Sequence, residues 1–248
     1  MTKQTCPVCG AAAVTTAMDL LECGGCGLAF RAEKYFGTPA YSPGLAGGIY
    51  VSAKAALFSG ALDFLGTAVP EKGRLLDIGS TIGDQLYDTL PKTVEINCLN
   101  LNSKKFKNKQ IKFKQGDIRK ADYPDNYFDL IACVSTLEHI GVAGRYGSDD
   151  QPEGDLRAMG EIKRILKPGG ILLATVPYGD KDILPINKLY NKTRIDDLFS
   201  GLEIISQEFK KFDKNWHVWL KVGETEAAKT DMASDGWYAL CLIKAKKI

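Results

Sequence analysis

Histidine is scarce, long apolar runs are missing, and neither sign of charge dominates. The 248-residue chain has only two histidines, His139 and His217. No apolar run approaches the roughly 20 residues needed to cross a bilayer, so no membrane span is expected. Lys and Arg number 32 against 30 Asp and Glu, a net charge of +2. That balance argues against a protein that is basic all over and coats nucleic acid. Met1 to Gly10 lack an apolar core behind a basic start, so no secretory signal is expected. No internal repeat and no low-complexity tract is visible. What is there is 45% hydrophobic and 25% charged, the proportions of a soluble globular protein and too apolar for disorder. The length allows one large domain, or a domain with a small appendage.

The seven cysteines are an odd count, and four of them form two Cys-x-x-Cys pairs within the first 26 residues. Cys98, Cys133 and Cys241 sit singly in apolar segments. A secreted disulfide framework would spread its cysteines differently, so a reducing, cytoplasmic compartment is expected. The pairs are Cys6-Pro-Val-Cys9-Gly10 and Cys23-Gly-Gly-Cys26-Gly27. Two residues between thiolates let both sulfurs of a tight turn face one ion. The glycine after each second cysteine supplies the positive φ such a turn needs. Two facing turns make a closed tetrahedral sulfur site, which suits a structural Zn²⁺ ion. Residues 1–32 then read as a zinc ribbon; free thiols, a redox pair or an iron–sulfur centre are the other occupations these residues allow.

Residues 33–48 are rich in Gly, Pro and Tyr and read as a linker or lid. Residues 49–248 read as one α/β domain. Ala53, Ala56, Leu57, Gly60, Ala61, Phe64 and Leu65 recur at helical spacing. Strands are expected at Arg74–Ile78, Val94–Leu101, Ile111–Lys114, Phe128–Val134 and Ile171–Val176. A helix is expected at about Leu156–Lys167, with Leu156, Met159, Ile162, Ile165 and Leu166 on one side. Lys167-Pro168-Gly169-Gly170 stops it. Two more apolar segments follow, Leu202–Phe209 and Trp237–Ile243. This alternation predicts a doubly wound, mainly parallel sheet with helices on both faces.

In such sheets ligands bind beyond the carboxyl ends of the strands, where the strand order reverses. The first strand there ends in Asp77-Ile-Gly79-Ser80-Thr-Ile-Gly83, a turn that lets backbone approach a ligand. Taken alone, that segment fits any nucleotide fold, or a tight turn only. Four segments in order carry more. Asp77 to Gly83 is similar to the Asp-x-Gly-x-Gly-x-Gly motif of the class I S-adenosylmethionine-dependent methyltransferases, with Thr81 in place of the middle glycine. Gly116-Asp117-Ile118 falls where that family sets an acid against the adenine amino group. Phe128 to Ile140 resembles its fourth strand and following loop, and Glu161 to Gly170 the helix and turn before the fifth strand. The resemblance covers about Gly73 to Val176. It implies a Rossmann-like, seven-stranded sheet. It also implies an S-adenosylmethionine site made by Asp77, Gly79, Ser80, Gly83, Asn100, Leu101, Asp117, Ile118 and Ser135. The family's second strand usually ends in an acid that accepts both ribose hydroxyls. Here Asn100-Leu101-Asn102 stands there, without the charge. Zinc-binding ribbons with Cys26-Gly27-Leu28-Ala29-Phe30-like endings precede many methyltransferases of glycan and natural-product pathways. The run Glu138-His139-Ile140-Gly141, then Arg145-Tyr146-Gly147, then Gly154-Asp155-Leu156 and Ala158-Met159, resembles a branch found in similar settings.

An oxygen acceptor of high pKa needs a general base, and His139, just after the fourth strand, fits that role. A histidine that only shapes the loop fits it too. Glu138 with His139 is also a partial metal pair, although Ser135 stands where related enzymes have a further acid. Trp216-His217-Val218-Trp219 reads either as an aromatic wall for a substrate or as strand packing. Lys104, Lys105, Lys107, Lys109, Lys112 and Lys114 crowd one region. Such a patch suits RNA phosphates or a solvated sheet edge, and the scarcity of interleaved aromatics speaks against nucleic acid. The expectation is a methyltransferase for a small-molecule acceptor, a sugar or a glycan or natural-product precursor, methylated on oxygen. An RNA methyltransferase, or a non-catalytic protein that keeps the fold, are the alternatives.

Overall fold

The computed structural model describes residues 13–15, 20–23, 29–31, 68–80, 87–88, 90–143, 146, 148–184, 187–213, 215–216, 218–231, 235 and 237–248. Cys6, Cys9, Cys26, the Cys23 side chain, the 33–48 segment, the helix expected at residues 53–65 and Gly83 lie outside this description. The first three strands, β1 (Ala13–Thr15), β2 (Leu20–Cys23) and β3 (Ala29–Arg31), form a three-stranded antiparallel sheet in that order.

The main sheet is built from β4 (Gly73–Ile78), β5 (Val94–Asn100), β6 (Lys112–Gln115), β7 (Phe128–Val134), β8 (Leu166–Tyr178), β9 (Leu202–Asp213), β10 (Val218–Val222) and β11 (Ala239–Lys247). Its order is β10-β9-β11-β8-β7-β4-β5-β6. From β6 to β8 all neighbours are parallel, and β11, β9 and β10 add antiparallel pairings. Residues alternate between two buried faces. Leu76, Ile131 and Leu172 point into one core, Leu75, Leu130 and Leu173 into the other. This double burial explains why these segments read as near-continuous apolar runs.

The sheet has eight strands, one more than the seven expected. β9 runs on to Asp213, whose Oδ1 accepts the backbone N–H groups of Asn215 (2.8 Å) and Trp216 (3.1 Å). That turn folds the chain back as β10, with Val218 opposite Asp213. The pairing accords with the strand-packing reading of the Trp216–Trp219 segment. Trp219 packs on Phe212 with ring centroids 5.3 Å apart, and Trp216 is exposed.

The helix α1 (Gly154–Ile165) buries Asp155, Ala158, Met159, Ile162 and Ile165. Leu156, expected on that inner side, is exposed, and Leu166 already belongs to β8. Two shorter helices, α2 (Lys192–Leu198) and α3 (Glu224–Ala228), add Ile195, Leu198 and Ala227 to the same core face as α1. Among the described residues the opposite face is covered by Tyr87, Phe106 and neighbouring side chains. Among the described residues, no helix is long and apolar enough to cross a membrane.

Candidate active site

The chain passes from β4 to β5 and β6 on one side of the sheet, then to β7 and β8 on the other. The order therefore reverses between β4 and β7, and a crevice opens beyond their carboxyl ends. A cavity of about 530 Å³ lies there, within the range of small-ligand sites. Gly79, Ser80, Asn100, Leu101, Asp117, Ile118, Ser135 and His139 all line it. Of the residues expected at the cofactor site, Asp77 is the described one that does not. Its carboxylate is fully buried and accepts the Tyr87 hydroxyl. Burial, then the charge of Asp77, pushes the titration of that phenol far upward.

Gly79 has φ +86°, and a Cβ there would meet Thr136 Oγ1 at 2.3 Å. Only glycine lets β4 turn so close to the loop after β7. The Gly79 N–H donates to the carbonyl of Leu99 (2.8 Å), which ties the turn to β5. Asn100 completes the tie. Its Nδ2 donates to the Gly79 carbonyl (2.6 Å), and its Oδ1 accepts the Asn102 N–H (2.9 Å). The amide thus replaces charge with a loop-to-loop bridge. Lys104 also lines the cavity and donates to the Ser80 carbonyl.

Asp117 caps the short 3-10 turn Ile118–Lys120, accepting the Arg119 N–H at 2.9 Å. The Arg119 guanidinium grips the same carboxylate at 2.6 Å and reaches Asp149 at 2.5 Å. Burial raises the Asp117 carboxyl, but the hydrogen bonds and charge of Arg119 outweigh it and hold the group below the usual range. Arg119 thereby pins the segment that follows Tyr146 beside the cavity. Asn102 Nδ2 adds a bond to the Tyr146 carbonyl (2.8 Å), and the Ser148 hydroxyl accepts the Gly141 N–H (2.9 Å).

Beyond β7, Ser135 adopts φ +48° and donates its N–H to Thr175 Oγ1 (2.9 Å). Its hydroxyl donates to Glu138 Oε1 (3.0 Å), in the 3-10 turn Leu137–His139. The His139 ring packs edge-on against Tyr146, with centroids 5.0 Å apart. Among the described residues no group of three or more His, Cys, Asp or Glu side chains is placed to hold a metal, so Glu138 and His139 have no third ligand there.

Thr136 and Ser148 line the cavity without having been singled out, Lys104 and Arg119 were read only as parts of a basic patch, and Tyr146 belongs to a polar loop whose sequence suits either a cover over a substrate or a solvated insertion. The available signals were short spacings. Lys104 follows Asn100 by four residues, and Arg119 follows Asp117 by two. Of the lysine cluster, Lys112 pairs with Glu95 (2.6 Å) and Lys114 with Asp122 (2.8 Å).

A nucleoside fits much of this site. Ile78, Leu99, Leu101 and Ile118 offer apolar walls, Asp117 an acceptor, and Gly79 an open backbone. The ribose end departs from a carboxylate site, because the Asn100 amide is already engaged.

A family model described as "Caenorhabditis protein of unknown function, DUF268" matches residues 89–242. The chain belongs to this family. The match spans β5 to most of β11 and so contains the cavity-lining residues from Leu99 to Ser148. A probable methyltransferase, ltbC, of Aspergillus luteorubrus is 40% identical over 61 residues, 24% of this chain and 18% of the relative. A sterol 24-C-methyltransferase of Gibberella zeae is 29% identical over 128 residues, 44% of this chain and 30% of the relative. The chain therefore spans less than a third of the length of these two relatives. Among solved structures, a 1,6-didemethyltoxoflavin-N1-methyltransferase of Burkholderia thailandensis holds 1,6-didemethyltoxoflavin and S-adenosylhomocysteine. It superposes with a TM-score of 0.53 at 13% identity, covering 85% of this chain and 94% of that one. The fold of this DUF268 chain is that of the S-adenosylmethionine-dependent methyltransferases.

Proposed function

We propose that the protein is an S-adenosylmethionine-dependent methyltransferase acting on a hydroxyl of a small molecule, a sugar or a glycan or natural-product precursor. The observation that carries this reading is the cavity at the strand-order reversal, walled by Gly79, Ser80, Asn100, Leu101, Asp117, Ile118, Ser135 and His139. The methyltransferase fold and the curated relatives support it. Gly79 and Ser80 would hold the amino-acid end of the cofactor, Asn100 and Leu101 the ribose, and Asp117 with Ile118 the adenine. When bound, S-adenosylmethionine supplies a sulfonium-activated methyl group, which passes to the acceptor oxygen while the C–S electron pair stays on sulfur. The chain's own contribution is to hold the acceptor in line and dry. His139 at the wall takes the hydroxyl proton.

The four N-terminal cysteines, Cys6, Cys9, Cys23 and Cys26, would hold one structural Zn²⁺ in a ribbon ahead of this domain. The buried free thiols of Cys98, Cys133 and Cys241 fit a reducing cytoplasm. RNA is the poorer acceptor, since Lys112 and Lys114 are paired and Lys104 turns inward. Titration calorimetry of the full chain with S-adenosylmethionine and S-adenosylhomocysteine tests the reading. Saturable binding of both is expected. No heat from either at millimolar ligand overturns it.

A further inference from the structure

Glu138 is 1% exposed and does not line the cavity. A carboxylate in that position is costly unless its charge is compensated. Oε1 accepts the Ser135 hydroxyl at 3.0 Å, while Oε2 is buried with no hydrogen-bond partner. The groups facing it are few. From β7 comes the Cys133 thiol, which burial and the charges of Glu138 and Asp77 push well upward. From the segment before α2 comes the Tyr190 phenol, pushed upward by burial and by Asp155 as well as Glu138. Neither is a source of positive charge.

Among the described residues Lys188 is the nearby ammonium, and its three donors are spent. They go to Asp155 Oδ1 (2.7 Å), the Pro152 carbonyl (2.7 Å) and the Ile140 carbonyl (3.0 Å). Asp155 is itself capped by the Tyr190 hydroxyl at 2.8 Å. The His139 imidazole remains: its Nε2 stands 3.8 Å from Glu138 Oε1, within ion-pair reach. The backbone on both sides of His139 is clamped, because the Lys188 N–H donates to the Glu138 carbonyl (3.0 Å) and its ammonium to that of Ile140.

We propose that Glu138 is a positioning residue that stabilises the protonated imidazole of His139, so that Ser135, Glu138 and His139 form one proton-holding unit at the cavity wall. This rests on the reading of His139 as base. When the acceptor oxygen gains its methyl group, its O–H bond breaks and the proton passes to the imidazole. The buried carboxylate then balances the imidazolium charge. The Ser135 hydroxyl holds the carboxylate oriented toward the ring, which keeps the pair from collapsing into the protein interior.

The test is an NMR pH titration of the imidazole carbon-bound protons in the full chain, with His217→Gln separating the two histidine signals. The His139 midpoint in Glu138→Gln is expected about one pH unit below wild type, with Glu138→Asp restoring part of the difference. If Glu138→Gln fails to fold, Ser135→Ala provides the same readout: without the hydroxyl that orients Oε1, the His139 midpoint falls, by less than in Glu138→Gln. Equal midpoints in wild type and in a folded variant overturn the proposal. Calorimetry with S-adenosylmethionine on the same samples separates the two claims. A shifted midpoint without cofactor binding keeps the unit and removes methyl transfer, and binding with an unshifted midpoint does the reverse.

Discussion

A methyl group added at Gly79 would have to displace the Thr136 side chain, which itself bonds to the Ile78 and Val134 carbonyls (3.2 and 2.9 Å). The positive φ adds strain of its own. Gly79→Ala is expected to lower unfolding free energy by roughly 1–3 kcal/mol in urea titrations. It should also weaken S-adenosylmethionine binding in calorimetry more than a substitution on the outer surface. The glycine itself was legible in the sequence, because a strand followed by Gly79 and Gly83 has few other uses. Asn100 was legible as a departure, but its role was not. The bond from its amide to the Gly79 carbonyl joins residues 21 apart, and nothing local in the sequence announces it. Asp77 shows the reverse case: the motif was visible, yet its carboxylate serves Tyr87 and lies off the cavity.

The loop after β7, the start of α1 and the segment before α2 act as one assembly. Gly141 has φ +77°, and a Cβ there would meet the Gln151 carbonyl oxygen at 1.9 Å; Gly154 packs against Gly141 in turn. The buried Lys188–Asp155 pair closes the assembly from the third side. Lys188→Met leaves Asp155 charged and buried, at an expected cost of about 3–5 kcal/mol in urea unfolding. Lys188→Met combined with Asp155→Leu should lose less, because no unpaired charge remains. The 3.6-residue apolar period made α1 visible, with Met159, Ile162 and Ile165 facing inward as expected. Asp155 and Lys188 stand 33 residues apart, and a lysine before an ordinary Leu-Tyr pair carries no local sign of burial. β10 was legible only as one of two readings of the Trp216–Trp219 segment, because a five-residue edge strand with exposed Leu220 has a weak pattern.

Across the molecule, several carboxylates are held below their usual range. Burial works against ionisation at Asp117, Asp129 and Asp182. The hydrogen bonds and charge of Arg119, of Lys167 and Arg74, and of Arg194 respectively outweigh it. A depressed carboxyl contributes stability that is present above the unfolded value of about 3.9 and is lost as pH falls through the folded value. Urea midpoints followed by circular dichroism should therefore stay level from neutral pH to about pH 5 and decline below about pH 4. A decline that begins near pH 6 would assign the acid sensitivity to histidine instead. The parallel half of the sheet was readable because both its faces are buried and its strands are apolar throughout. The neighbour order at the antiparallel end was not, since it depends on which distant edges meet.

That end of the sheet has a bearing on biogenesis. β11 lies between β8 and β9, both of which precede it in the chain, and bonds to each along most of its length. Until β11 emerges from the ribosome, β8 and the β9–β10 hairpin present bare edges with no native neighbour. A premature stop or frameshift between Val222 and Ala239 would leave those edges permanently open. Such products belong in inclusion bodies or in the hands of chaperones, whatever the state of the cavity at the other end of the sheet.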